Sequence, residues 1–364
     1  MATHKSNFLT GLSYFWNSWA VKQNIIIVIC GSAASWMIQK ILRDTGGLHN
    51  RVTRRIRLRP FTLAETKAFL WNKGVRYGHY ELLQLYMVMG GIPHYLKEVE
   101  KGQSVTQNIN RICFSETGLL RDEFSSLYPA LFKHADSHIA IIRALAEKGQ
   151  GMKRSDLIKA AKINDSGRVS KVLVELEESG FITAYLSFGK KKKDKIYRLT
   201  DEYSVFYLRF IEPNLFESEG VWSSLSQTQT YKIWCGYAFE NICLKHVPQI
   251  KKALGISGVY TRSNSFFSKG DETTPGVQID LLIDRNDRII NLIEIKFHHE
   301  VFAISKTDAE QLSAKVRAFR SLTKTNKYIV MTMITALGLK LNSYRHAVDV
   351  ALNGDILFEE ISTI

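Results

Sequence analysis

The residues best suited to chemistry lie in the last third of the chain. In Ile289-Ile-Asn-Leu-Ile-Glu-Ile-Lys-Phe297 the alternation of a β-strand places Leu292, Glu294, Lys296 and His298 on one face. In the preceding run, Val277-Gln-Ile-Asp-Leu-Leu-Ile283, it places Val277, Ile279, Leu281 and Ile283 on one face and Gln278, Asp280 and Leu282 on the other. If the two strands pair, the turn at Asp284–Arg288 brings Asp280 beside Glu294. On a helix expected over Thr230–Val247, Glu240 falls within the inward stripe of Ile233, Tyr237, Leu244 and Val247. A core-facing glutamate is costly unless charge or hydrogen bonding compensates it. Carboxylates converging on one point make a hard, oxygen-rich site suited to Mg²⁺ or Mn²⁺. Such a cation polarises a phosphoryl oxygen and helps generate hydroxide. A lysine two residues after the glutamate neutralises developing charge or positions the attacking water. Each acid alone reads as a solvated charge. The ordered set Glu240, Asp280, Glu294-x-Lys296 reads as a metal site, with structural ion pairs or an inert remnant as the alternatives.

These residues need a scaffold, and the 364-residue chain is long enough for two or three domains. It is 45% hydrophobic and 23% charged, which excludes wholesale disorder. The scattered Cys30, Cys113, Cys235 and Cys243 form no CxxC pair and read as reduced thiols of a cytoplasmic protein. The N-terminus lacks a secretory signal pattern. The most apolar run, Ile25–Cys30, is far shorter than the ~20 residues that span a bilayer, so no membrane partner is expected. The net charge of +14 is uneven. Residues 1–200 hold 31 basic and 16 acidic side chains, and residues 201–364 hold 18 and 19. The excess concentrates at Arg51, Arg54, Arg55, Arg57 and Arg59 and between Lys153 and Arg198. That asymmetry points to nucleic acid as partner, with solubility as the bland alternative.

Along the chain, Asn24–Ser32 reads as a strand buried on both faces, hence parallel and part of an α/β sheet. A helix follows over Ala33–Leu42. Arg54–Arg59 alternates as a half-exposed strand ending at Pro60. Thr62 and Glu65 form a capping box for a helix to about Trp71. Gly90-Gly-Ile-Pro93 breaks a further helical stretch. Helices over Ile139–Glu147, Arg154–Ala161 and Ser166–Ser179 precede strands Phe181–Phe188 and Lys195–Leu199, whose joining turn carries Lys190, Lys191, Lys192 and Lys193. This is the order of a winged helix-turn-helix. Its third helix, with Arg168 and Lys171 on one face, enters the major groove, and its wing contacts phosphates. The last region reads as the Thr230–Val247 helix, strands Val259–Arg262, Val277–Asp284 and Ile289–Phe297, a helix Asp308–Leu322 and a strand Tyr328–Ile334. The tryptophans read as core anchors.

The acid–lysine set resembles the PD-(D/E)XK nuclease superfamily over roughly residues 230–335, although Ile279 stands where the motif has its proline. That resemblance implies Asp280 and Glu294 as metal ligands, Lys296 as catalytic and Glu240 as an accessory acid. It adds Gln311 on the next helix as a candidate for orienting lysine or phosphate. Apart from the resemblance, His298-His299-Glu300 follows the motif strand and reads as a solvated turn, with a metal contact as the lesser alternative. Taken with Cys30-Gly-Ser32, Arg59-Pro-Phe-Thr-Leu63, Gly90-Gly-Ile-Pro93 with Tyr95-Leu96, and Phe239-Glu240, the whole chain resembles the archaeal-type (STAND/AAA-related) ATPases. These also occur in gut bacteria of the Bacteroides type.

The fold class this implies is a multidomain α/β and α+β chain. A C-terminal remnant of a P-loop ATPase core occupies residues 1–60, a helical lid 61–135 and a winged helix 136–200. A restriction-endonuclease-like αβββαβ domain occupies 201–364. Within the remnant, Ser32 corresponds to a γ-phosphate sensor or else a helix N-cap. Arg51 and Arg54 correspond to phosphate-contacting arginines or else a solvated basic strand. No GxxxxGK[ST] occurs anywhere in the sequence. The expectation is therefore that Met1 is an internal methionine of a longer protein, and that ATP, the family's nucleotide, is neither bound nor hydrolysed by this chain alone. The expected partner is nucleic acid, with DNA favoured, and homo-oligomerisation is left open. The competing reading is a catalytically inactive DNA- or protein-binding regulatory module.

Overall fold

The computed structural model describes residues 7–31, 51–190, 194–216, 220–270 and 275–361. The chain mixes helices with two sheets. Helix α1 (Phe8–Ser18) buries no residue. Next come α2 (Leu63–Asn72), α3 (His79–Met89), α4 (Pro93–Leu96), α5 (Val105–Ile109), α6 (Leu119–Leu131) and α7 (Asp136–Ala146). Strand β1 (Met152–Lys153), α8 (Arg154–Ala160), α9 (Gly167–Glu178), β2 (Ile182–Tyr185) and β3 (Ile196–Leu199) form a compact three-stranded module with strand order β1-β3-β2, all antiparallel. Then α10 (Glu202–Phe206), α11 (Val221–Leu225), α12 (Gln229–Lys245) and α13 (Val247–Ala253) lead into a five-stranded sheet. Its strands are β4 (Thr261–Gly270), β5 (Pro275–Arg285), β6 (Ile289–Lys296), β7 (Tyr328–Thr335) and β8 (Val350–Asn353), in that spatial order. β4, β5 and β6 pair antiparallel, and β6, β7 and β8 pair parallel. The β6–β7 crossover is α14 (Lys306–Thr323).

This sheet lies between two apolar layers. One core runs from Leu63 on α2 through Phe206 and Trp222 to Ile293, Ile295 and Phe358, and includes Phe239 of α12. The other, on the opposite face, gathers Phe266, Ile279, Leu282, Leu292, Leu312, Phe319 and Met331 around α14. Trp222 and Trp234 are core anchors as expected, whereas Trp19 and Trp71 are exposed.

The N-terminal strands expected from sequence do not form. Asn24–Gly31 has no regular structure, with Ile26 93% exposed, and Ser32 and the Ala33–Leu42 helix lie outside the described residues. Arg54–Arg59 is likewise irregular, with Leu58 91% exposed. A β-branched run becomes a strand only where a neighbour takes its main-chain N–H and C=O groups. Among the described residues no strand runs beside either segment. Arg57 instead pairs with Glu178 in the last turn of α9, 3.2 Å to its carboxylate, and donates to its carbonyl. There the guanidinium meets the negative end of the helix.

Two short motifs meet at one joint. The Thr62–Glu65 capping box forms as expected, with Thr62 N donating to Glu65 Oε2 at 2.7 Å. One residue earlier, Phe61 N donates to the Gly91 carbonyl at 2.7 Å, and the Tyr86 hydroxyl donates to the Phe61 carbonyl at 2.7 Å. A Cβ on Gly91 would stand 1.9 Å from the Phe61 oxygen, so only glycine permits this approach. Gly91→Ala is expected to destabilise the fold by about 3 kcal/mol, the upper range for overpacking, because the obstacle is backbone. A urea midpoint unchanged by that substitution would contradict the packing.

Leu63 N donates to His246 Nε2 at 3.2 Å, and His246 Nδ1 donates to the Ile242 carbonyl at 2.8 Å. The ring is thus held neutral. It is 2% exposed, and burial depresses its pKa to about 4. An unfolded histidine takes up its proton near pH 6.5, so His246 contributes stability that is complete above that pH. That stability is lost as pH falls from about 6.5 to about 4, up to about 3 kcal/mol in all. His246→Gln is expected to flatten this part of the stability–pH curve. Chemical denaturation of both proteins at pH 7 and pH 4.5 checks it, and parallel losses would refute the assignment.

Candidate active site

The acidic set is assembled by an irregularity that period-two reading does not foresee. Asn264 pairs with Leu282 but Phe266 pairs with Ile279, so Asp280 and Leu281 together oppose Ser265. This β-bulge reverses the faces of β5 partway along. Val277 and Ile279 belong to the α14-side core, whereas Leu281 and Ile283 belong to the opposite one. The expected shared face of Val277, Ile279, Leu281 and Ile283 is therefore corrected, because one extra residue inverts the alternation beyond it. Bulges re-aim side chains, and here Asp280 turns into the seam with β6, where its Oδ2 accepts from Ile295 N at 3.0 Å.

Glu294, on the adjoining strand and 5% exposed, is held by two ammonium groups. Lys296 Nζ lies 3.1 Å from Oε1 and Lys315 Nζ of α14 lies 2.5 Å from Oε2. Glu240 of α12, 8% exposed, accepts from Arg198 Nη1 of β3 at 2.6 Å. The three acids feel one another. Burial first, then Glu294 and Glu240, pushes the Asp280 carboxyl up to about 7, against the pull of the Ile295 N–H and Lys315. Burial opposes the Lys296 ammonium, but Glu294, with Asp280 and Asp308 beyond it, outweighs that and raises its pKa. At neutral pH Lys296 is therefore a cation.

Among the described residues, no group of three or more His, Cys, Asp or Glu side chains is placed to hold a metal ion. The two acids expected as metal ligands, Asp280 and Glu294, stand on the adjoining strands β5 and β6.

The other candidates are dispersed. Arg51 and Arg54 are exposed in the irregular segment. Arg168 is exposed on α9, and Lys171 pairs with Glu175 one turn on at 3.8 Å. Lys190 is exposed at the hairpin tip, and Lys191, Lys192 and Lys193 lie outside the described residues. Gln311 is exposed, and it is Lys315, one turn further along α14, that reaches the acids. His299 Nδ1 lies 2.6 Å from the Tyr80 hydroxyl, and His298 sets its edge against Phe302. Sequence reading missed Arg198 and Lys315. The i, i+4 spacing from Gln311 points to Lys315. No local signal joins Arg198 to Glu240.

No family model matches the sequence. An uncharacterized protein of Methanocaldococcus jannaschii is 24% identical over 279 residues, covering 74% of this chain and 59% of its own length. A Vibrio cholerae protein of known crystal structure aligns with 85% of this chain and 62% of its own, at 13% identity and a TM-score of 0.26. The chain thus spans about three fifths of either relative's length. Among the described residues, no helix is long and apolar enough to cross a membrane.

Proposed function

We propose that this chain docks on nucleic acid, with DNA favoured, and hydrolyses its phosphodiester backbone with a divalent cation. The observation that carries this reading is the convergence of Asp280 at the β5 bulge, Glu294 on β6 and the ammonium of Lys296. Asp280 and Glu294 would hold Mg²⁺ or Mn²⁺, whose bound water is acidified and whose charge polarises the phosphoryl oxygen. Lys296, charged at neutral pH, stabilises negative charge growing on the reacting phosphate. Lys315 keeps Glu294 oriented. The order α7-β1-α8-α9-β2-β3 supports a winged helix-turn-helix reading of the three-stranded module. Arg168 and Lys171 on α9 and Lys190 at the hairpin tip, followed in sequence by Lys191, Lys192 and Lys193, would supply salt-sensitive, sequence-independent contacts to phosphates. No nucleotide hydrolysis is assigned to this chain.

One observation favours a second reading, an inactive docking module. Glu240 and Glu294 already have basic partners, as structural ion pairs would. A plasmid-nicking assay with Mg²⁺ or Mn²⁺, comparing wild type with Lys296→Ala, separates the two. Metal-dependent nicking lost in the variant supports the nuclease. DNA binding without nicking by either protein supports the module.

A further inference from the structure

Away from the acids, a line of hydrogen-bonded side chains joins α2, α3 and the Gly354–Phe358 turn. Asn353 Nδ2 donates to Asp355 Oδ2 at 2.9 Å, and Asp355 Oδ1 lies 2.6 Å from His79 Nδ1. A carboxylate only accepts, so Nδ1 donates and Nε2 keeps its lone pair. That lone pair faces Lys67 Nζ at 2.9 Å. The His79 ring is fixed in this pose by stacking on the buried Phe358, 4.1 Å between centroids and 8° between planes. Among the described residues Lys67 has no carboxylate partner. Its Nζ also lies over the exposed ring of Trp71, one turn along α2, 4.5 Å from the centroid. The Arg76 guanidinium lies 5.2 Å from the centroid of the same ring. A nucleophile within reach of a base that a third group orients is the arrangement that activates a weak nucleophile.

We propose that Lys67 is a modification site that takes an acyl group from an acyl phosphate, with His79 as its base and Asp355 positioning His79. His79 Nε2 takes one proton from the Lys67 ammonium and passes it to water. The free amine attacks the acyl carbon. The N–C bond forms, the acyl C–O bond breaks, and the amine's next proton passes through Nε2 to the phosphate, which departs as hydrogenphosphate beside Arg76. The Arg76 cation selects an anionic donor. The site is open to water, where an imine formed with an aldehyde would be hydrolysed again and an amide persists. Acylation removes the charge that Lys67 sets against His79 and Trp71, and so loosens α2 from the start of α3.

Acetyl phosphate is the probe, and acetylation of the full chain is followed lysine by lysine by mass spectrometry. Lys67 is expected to react at least about tenfold faster than the exposed Lys306, a modest gain for a positioned base. His79→Gln, checked for folding by circular dichroism, should bring Lys67 down to the Lys306 rate. Asp355→Asn should do the same, and Asp355→Glu should recover part of the preference. Arg76→Gln should slow acetylation by acetyl phosphate but not by the uncharged phenyl acetate. Lys67 reacting no faster than Lys306 in wild type overturns the proposal whatever the variants do, and leaves the line of side chains as a structural staple. An unchanged Lys67 preference in His79→Gln overturns it equally. Equal rates in Asp355→Asn and Asp355→Glu overturn the positioning role, and equal slowing by Arg76→Gln with both reagents overturns the anionic donor.

Discussion

Lys296→Ala is expected to lower Mg²⁺- or Mn²⁺-dependent nicking of plasmid DNA by about 10²–10³-fold, the usual loss for one preorganised charge at a reacting centre. The argument rests on its ionisation. Glu294 at 3.1 Å raises the Lys296 pKa against the opposing effect of burial, so the group is an ammonium at neutral pH and cannot serve as a general base. Its contribution is electrostatic. Lys296→Arg, which keeps the charge but alters its reach, should retain part of the activity. Truncation leaves Lys315 on Glu294, so secondary structure and DNA affinity should stay close to wild type. A fall in affinity equal to the fall in nicking would assign Lys296 to docking. Undiminished nicking would remove it from the site.

Lys245→Ala is expected to destabilise the protein by about 3–5 kcal/mol, the loss seen when one partner of a buried ion pair is removed. Glu202 is buried, and its two oxygens lie 2.7 and 2.8 Å from Lys245 Nζ. Burial pushes the Glu202 carboxyl up and Lys245 pulls it back down. The same carboxylate sits against the Gly90 turn, where an added Cβ would come within 2.8 Å of it. The pair thus fastens α10 and α12 to the helices that begin at Leu63. Urea denaturation at pH 7 measures the effect. The double variant Glu202→Gln with Lys245→Met, which removes both charges, should recover most of the loss. No rescue would place the cost in packing instead.

What could be read in advance follows from how far each signal reaches along the chain. Thr62 and Glu65 are three residues apart, and their capping box starts α2 as read. The helices near Ile139, Arg154 and Ser166 and the strand around Ile196 also stand close to their expected limits, whereas the strand expected over Phe181–Phe188 is only Ile182–Tyr185. Glu294 and Lys296 share a face because strand geometry alone puts them there. The segments Asn24–Gly31 and Arg54–Arg59 carry equally strong local patterns and are not strands, because propensity cannot supply the neighbour that a ladder requires. The short strand β8 was not foreseen. It is set by parallel pairing with β7.

The amino-acid order by itself marked the Thr62–Glu65 cap, the helices of the three-stranded module, the basic first half, and the acids and lysine of β5, β6 and α12 as a candidate set. Only the tertiary structure decided how they meet. The bulge opposite Ser265 aims Asp280, α14 brings Lys315 to Glu294 from 21 positions away, and β3 brings Arg198 to Glu240 from 42. Local sequence sets backbone preference over a turn or a strand. Charges buried far apart in the chain find their partners only when two apolar layers close on either side of one sheet.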